Sequence, residues 1–182
     1  MAYALAAAAT SFLQAEEVNY ALLDAARDPG VRAFILEHAP NAVSLYAGLD
    51  EDLADVAPYL VPLTVERIAT LSAQGWGNSW GVFLKSEAEI ESLRRHFRKF
   101  LMVELEDGEE VYFRFYDPRV LRAFLPTCTP DEGLALLGPT SVFLMEADDP
   151  AVALKFGQPL DQISPLRFPL IPVAARQTRG NL

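Results

Sequence analysis

Two hydrophobic periodicities divide this chain into strands and helices: alternation every second residue, and recurrence at three and four positions. Tyr20 to Ala26 reads as a first strand, closed by Arg27 and the helix-start pair Asp28-Pro29, after which Val31, Phe34 and Ile35 recur at helical spacing as far as Pro40. Val43 to Tyr46 reads as a second short strand. Pro58-Tyr59-Leu60-Val61-Pro62 is apolar, too short for a helix and bracketed by prolines, which predicts an edge strand. Thr64 next offers an N-cap to a helix whose apolar side is Val65, Ile68 and Leu71. The run Gly75-Trp76-Gly77-Asn78-Ser79-Trp80-Gly81 breaks that helix, and Trp80 to Lys85 follows as a strand. Ser86 to Leu101 predicts the longest helix, with Ser86 and Glu89 as a capping box and Ile90, Leu93, Phe97, Phe100 and Leu101 as its apolar stripe.

The segment from Val111 to Leu121 is the densest in information. Asp107-Gly108 is a hairpin turn signal between Met102–Glu106 and Glu110–Tyr116. In the second of these strands Val111, Phe113 and Phe115 alternate with Tyr112, Arg114 and Tyr116. Asp117 ends the strand and is placed to cap a following helix, with Pro118 at its first position, where no donor is needed. Arg114 and Arg119 flank that carboxylate, so the corner is either a capped, ion-paired joint or a partner-binding corner. Beyond it, Pro118 to Leu125 reads as a short helix with Val120, Leu121 and Phe124 inward. Thr129-Pro130-Asp131-Glu132 starts another, which Gly138-Pro139 stops, and Ser141 to Met145 reads as the last strand. The alternation of strands and helices with one hairpin predicts an α/β (α+β) fold, a mixed β-sheet with packed helices in a single domain. Residues 1–17 are expected to be an N-terminal extension, 18–155 the folded domain and 156–182 a proline-rich basic tail.

Composition narrows the function. Hydrophobic residues make up 51% and charged residues 22%, as in an ordinary globular protein. The net charge of −10 argues against nucleic acid and against an anionic membrane. By count, 156–182 holds Arg167, Arg176 and Arg179 against Asp161, so the remaining residues are more acidic than the whole. The single cysteine, Cys128, excludes an internal disulfide framework and fits a cytoplasmic, reducing setting. Met1 to Ala9 is apolar but lacks a basic start and is far too short to span a bilayer, so neither a signal peptide nor membrane insertion is expected.

Chemistry-bearing motifs are scarce. Nucleophilic catalysis needs a Ser or Cys beside a base, and only His38, His96 and Cys128 offer material, with no serine in a nucleophile elbow. The acidic cluster Asp50, Glu51, Asp52 and Asp55 lacks a calcium-loop pattern and reads as a solvated face. The glycines around Trp76 and Trp80 do not follow a strand, so they are not a dinucleotide fingerprint. No catalytic residue, metal site or cofactor is therefore expected. What stands out instead is the basic end of the long helix, Arg94, Arg95, Arg98 and Lys99, which suits the helix dipole and also offers a contact surface in an acidic chain. Candidate partner-binding residues are these four, with Arg114, Tyr116, Asp117 and Arg119 of the corner and the pair Trp76 and Trp80.

Taken in order, Leu45-Tyr46, Ala57-Pro58-Tyr59-Leu60-Val61, Gly75-Trp76-Gly77, Trp80-Gly81, Leu93-Arg94-Arg95-His96-Phe97-Arg98, Asp107-Gly108 and Phe113-Arg114-Phe115-Tyr116-Asp117-Pro118-Arg119 resemble the bacterial type VI secretion effector chaperones, also called adaptor proteins. The resemblance covers about residues 18 to 146. It implies a cytosolic, non-enzymatic adaptor that holds one toxic effector protein and helps load it onto the VgrG spike protein. The competing expectation is a small cytosolic enzyme with a pocket near Trp76 and Trp80.

Overall fold

The structure, a computed structural model, describes residues 2–46, 51–105, 107–157 and 165–170. The chain opens with α1 (Ala2–Ala15), β1 (Tyr20–Asp24), α2 (Pro29–His38), β2 (Val43–Ser44), α3 (Glu51–Ala54) and β3 (Pro58–Pro62). It continues through α4 (Val65–Gln74), β4 (Gly81–Ser86), α5 (Ile90–Phe97), β5 (Met102–Glu104) and β6 (Glu110–Tyr112). It closes with α6 (Pro118–Phe124), α7 (Pro130–Leu137), β7 (Thr140–Glu146), β8 (Val152–Gly157) and β9 (Leu166–Pro169). One seven-stranded sheet has the spatial order β2-β3-β1-β4-β7-β8-β9, and β5 with β6 forms a separate two-stranded ribbon.

The α+β class matches the sequence pattern, but the strand directions differ from the mixed sheet expected. Every pair in the sheet is antiparallel. The reason is the placement of β1, which pairs with β3 on one side and β4 on the other. β3 and β4, joined through α4, are therefore parallel to each other but never adjacent. A strand-helix-strand pattern along the chain thus coexists with an antiparallel sheet.

Period-two alternation sends successive residues of each strand into two different cores. Ala21, Leu23, Tyr59, Val61, Phe83 and Leu144 pack on one face with α1, α2 and α4. Leu22, Leu60, Leu84, Phe143 and Leu154 pack on the other with Leu93 and Phe97 of α5, Leu121 of α6 and Leu136 of α7. The sheet is a middle layer between two helical ones, which is why its strands read as nearly continuous apolar runs.

Local signals with a local partner hold. The Asp28 carboxylate accepts from the Gly30 N–H with Pro29 at the first helical position, Thr64 caps α4, and Thr129 and Glu132 form a reciprocal capping box on α7. Other readings are corrected. β3 is not an edge strand, because β2 covers its outer side and takes a bond from the Leu45 N–H to the Pro58 carbonyl at 2.9 Å. Val65 is exposed rather than part of the apolar side of α4. Ser86 does not cap α5. It ends β4, donates to the Pro139 carbonyl at 2.7 Å and accepts from the Ala88 N–H, so α5 starts only at Ile90. The second hairpin strand ends at Tyr112 instead of Tyr116, and β7 is not the last strand, since β8 and β9 extend the sheet beyond it. Phe156 and Leu170 are buried, and α1 buries Ala9 and Leu13 against the same sheet. Asp50 of the acidic cluster, with 158–164 and 171–182 of the basic tail, lies outside the described residues.

Candidate partner-binding surface

At the end of β1 the chain places Asp24, a carboxylate with no solvent exposure. One of its oxygens accepts from the Ala26 N–H at 3.1 Å, and the other accepts from the Arg114 guanidinium, which arrives from the segment after β6. Burial pushes the Asp24 carboxyl above the usual carboxylate range, and the bond and charge of Arg114 pull it back only in part. Asp117 stands close by and is also buried. Its Oδ1 accepts from the Arg119 N–H at 2.9 Å, capping α6, and both of its oxygens take the Arg119 guanidinium in a fork. Burial again works upward on this carboxyl, but here the two Arg119 bonds win and hold it below the usual range. Two aspartates in one corner thus have opposite net balances.

Tyr46 and Tyr116 complete the corner. Burial drives both phenols above the ordinary range, and the charge of neighbouring Asp24 adds to it. Phe115 is fully buried and stacks on Phe97 of α5 with ring centres 5.7 Å apart. The result is a polar joint that fastens the segment between the ribbon and α6 onto the end of the central strand.

The basic end of α5 divides. Arg94 is turned inward, its Nε donating to the Ser44 carbonyl at 2.7 Å with Glu91 3.6 Å away, so it ties α5 to β2. Arg95, Arg98 and Lys99 are exposed, and the Arg95 guanidinium donates to the Ser92 hydroxyl at 3.2 Å. Of the four predicted together, three share an open surface and one is structural. Next to them in sequence, the β5–β6 ribbon exposes Met102 and Tyr112, and the Tyr112 ring lies 6.3 Å from that of Tyr46.

Trp76 and Trp80 lie elsewhere, in the opposite core, and both are buried. The Trp76 Nε1 donates to the Pro150 carbonyl at 2.8 Å. The buried Glu146 carboxylate receives the Gly77 N–H, the Ser79 N–H at 2.9 Å and the Ser79 hydroxyl at 3.0 Å. A Cβ at Gly30 or Gly75 would stand under 3 Å from the Trp80 ring, so those two positions must be small for the indole to fit. The cavity between the tryptophans is about 10 Å³, a single water's worth, so the enzyme pocket expected there has no room for a substrate.

The remaining candidates for chemistry have structural partners. The His96 Nε2 lies 2.9 Å from the Leu136 carbonyl with its ring against Gly138, and His38 sits at the end of α2 beside Glu37. Burial, and then the charge of Glu132, push the Cys128 thiol above its usual range. Among the described residues no group of three or more His, Cys, Asp or Glu side chains is placed to hold a metal, and no helix is long and apolar enough to cross a membrane. Sequence reasoning missed the buried Asp24 and Glu146 and the half-buried Tyr46, all covered by elements distant in sequence. The only local signal was a charged residue closing the apolar strand Tyr-Ala-Leu-Leu-Asp.

A family model described as a domain of unknown function, DUF4123, matches residues 19–134. That span runs from the start of β1 into α7 and includes the whole polar corner, the basic helix end and the ribbon. No curated protein and no solved structure matches the chain.

Proposed function

The chain belongs to the DUF4123 family, and from that premise we propose that it is a type VI secretion adaptor that binds a toxic effector protein and helps load it onto the VgrG spike. The carrying observation is the family match itself, because the family is associated with type VI secretion adaptors and the matched span takes in the corner and the surfaces around it. The geometry supports a binding role. The ion pairs Asp24–Arg114 and Asp117–Arg119, each a buried carboxylate under a partly exposed guanidinium, brace the segment that leads from the ribbon into α6, so the exposed side chains on either side are held on a rigid base. Nucleophile activation has no support in the surroundings of Cys128, His38 or His96, and the adaptor acts without catalysis. Its partners are proteins, and its place of action is the cytoplasm.

The test is co-expression of the full chain with the toxin and spike proteins encoded beside its gene. A complex of chain with toxin that survives size-exclusion chromatography, and that joins the spike protein, is the expected result. Absence of binding to both proteins overturns the reading, as does substrate turnover that disappears on mutating Cys128, His38 or His96.

A further inference from the structure

The ribbon β5–β6 stands apart from the seven-stranded sheet. Its register pairs Met102 with Tyr112, Val103 with Val111 and Glu104 with Glu110. The Phe113 N–H bonds the Leu101 carbonyl at 3.0 Å and the Leu105 N–H bonds the Glu109 carbonyl at 2.8 Å. Hydrogen-bonded pairs recur every second position, so Val103–Val111 is bonded, and Met102–Tyr112 and Glu104–Glu110 are the non-bonded pairs between. Three consequences follow from that register. Met102, Glu104, Glu110 and Tyr112 put their side chains on one face, and all four are exposed. Their N–H and C=O groups point outward along the two edges of the ribbon. Glu104 and Glu110 stand directly opposite each other at the closest cross-strand spacing, an arrangement that disfavours like charges.

No Lys or Arg occurs between Met102 and Tyr112, against Glu104, Glu106, Asp107, Glu109 and Glu110. Among the described residues, no ion pair reaches Glu104, Asp107, Glu109 or Glu110. A second copy of this chain would bring the same negative ribbon against this one, so self-pairing through these edges is opposed by charge. An apolar pair beside a like-charge pair, on a strand ribbon with open edges, fits an extended segment with the complementary pattern.

We propose that this face of the ribbon seats an extended segment of the partner protein in which a Lys or Arg lies two residues from a large apolar side chain. The partner's main chain bonds the outward groups of one ribbon strand as a third strand, which sets its cation beside the Glu104–Glu110 pair and its apolar side chain beside the Met102–Tyr112 pair on the same face. Residues two apart on a strand share a face and stand roughly 7 Å apart, which matches the step from one non-bonded pair to the next. The proposal rests on the adaptor reading for the partner being a protein.

The test is an amide NMR titration of the full chain with three synthetic peptides, alternating Lys with Val and Phe, Lys with Ser, and Glu with Val and Phe. Saturable shifts confined to residues 102–112 with the first peptide, at least tenfold weaker binding of the second and none of the third are expected. Glu104→Gln with Glu110→Gln should weaken the first peptide at least tenfold while leaving the melting temperature of the free chain unchanged or higher, because a repulsive pair has been removed. Four results overturn the proposal: shifts centred elsewhere, equal binding of the Lys/Ser peptide, undiminished binding by the double variant, or a concentration-dependent dimer of the free chain that buries these amides. Toxin co-purification with the same double variant separates the two claims. If the toxin still binds and the peptides do not, the ribbon is wrong and the adaptor reading stands.

Discussion

The turn from Gly75 to Gly81 and the ribbon from Met102 to Tyr112 are both short connections with aromatic residues and one left-handed glycine, Gly77 at φ 89° and Gly108 at φ 84°. Their polar groups meet opposite fates. In the turn, the Gly77 and Ser79 N–H groups, the Ser79 hydroxyl and the Trp76 indole all find acceptors inside the protein. In the ribbon, Glu104, Asp107, Glu109 and Glu110 have no cation among the described residues, and the edges face outward. The turn bonds these donors internally, although the buried Trp80 Nε1 finds no hydrogen-bond partner among the described residues, and reads as a structural part, whereas the like charges of the ribbon repel each other and suit an opposite charge.

This contrast is most directly broken in the turn. Trp80→Ala should remove about 3–5 kcal/mol of stability, as expected for a buried tryptophan, and urea unfolding measures it. A loss below about 1 kcal/mol would mean that the indole is not packed as a core residue, and the turn would rejoin the candidate surfaces.

Next in size is the corner beneath the ribbon. Arg114→Ala leaves the fully buried Asp24 without its cation, which should cost roughly 3 kcal/mol at neutral pH. The pH dependence sharpens this. The Asp24 carboxyl is raised in the folded protein, so its contribution is present below the ordinary aspartate range and is lost as pH rises through the raised value. Without Arg114 the carboxyl rises further, and the loss should extend to higher pH. Asp117 runs the other way. Its carboxyl is lowered, so its contribution is present above the ordinary range and is lost as pH falls through the lowered value. Asp117→Asn should flatten that acid-side loss, and urea melts across a pH series of the two variants read both slopes.

Glu146→Gln comes third. The carboxylate takes three donors across its two oxygens, whereas the amide keeps one acceptor oxygen, so a loss of about 1.5–3 kcal/mol is expected in the same assay. The smallest effect on stability should come from Arg95→Glu with Lys99→Glu, within about 0.5 kcal/mol, because both side chains are exposed and, among the described residues, pair with no carboxylate. If that surface meets an acidic partner, the double variant should lose association rate and salt sensitivity in toxin or spike binding, which surface plasmon resonance at two salt concentrations reads. Unchanged binding would make it a solvated helix end, and a marked drop in melting temperature would make these cations internal partners.

The sequence was legible wherever a signal and its partner lie within a few residues. Asp28, Thr64, Asp117 and Thr129 each bond an N–H two or three positions on, and each cap is where the pattern put it. Ser86 failed as a cap because it ends β4 and its Oγ accepts from the Ala88 N–H, two residues before α5 begins at Ile90. β8 was hidden because Lys155 interrupts its apolar run, and Lys155 is accommodated by Glu16 of the first helix, a partner that no local pattern reveals. The candidate surface was half legible for the same reason. Asp117 with Arg119 is a two-residue matter, while Arg114 with Asp24 and Arg94 with Ser44 are made only when distant strands meet.

The central position of β1 also bears on how the protein is made. Its first neighbour, β3, follows by way of two helices and a short strand, its second, β4, only after a further helix, and β7 joins β4 later still. A ribosome delivering this chain therefore exposes an apolar strand long before either of its sides can be covered, and the rate of closure is governed by pairings remote in sequence. Folding in the range of roughly milliseconds to seconds is the expectation for such a topology, and α1, which precedes β1 and buries Leu13 on the same sheet, is available to shield it early.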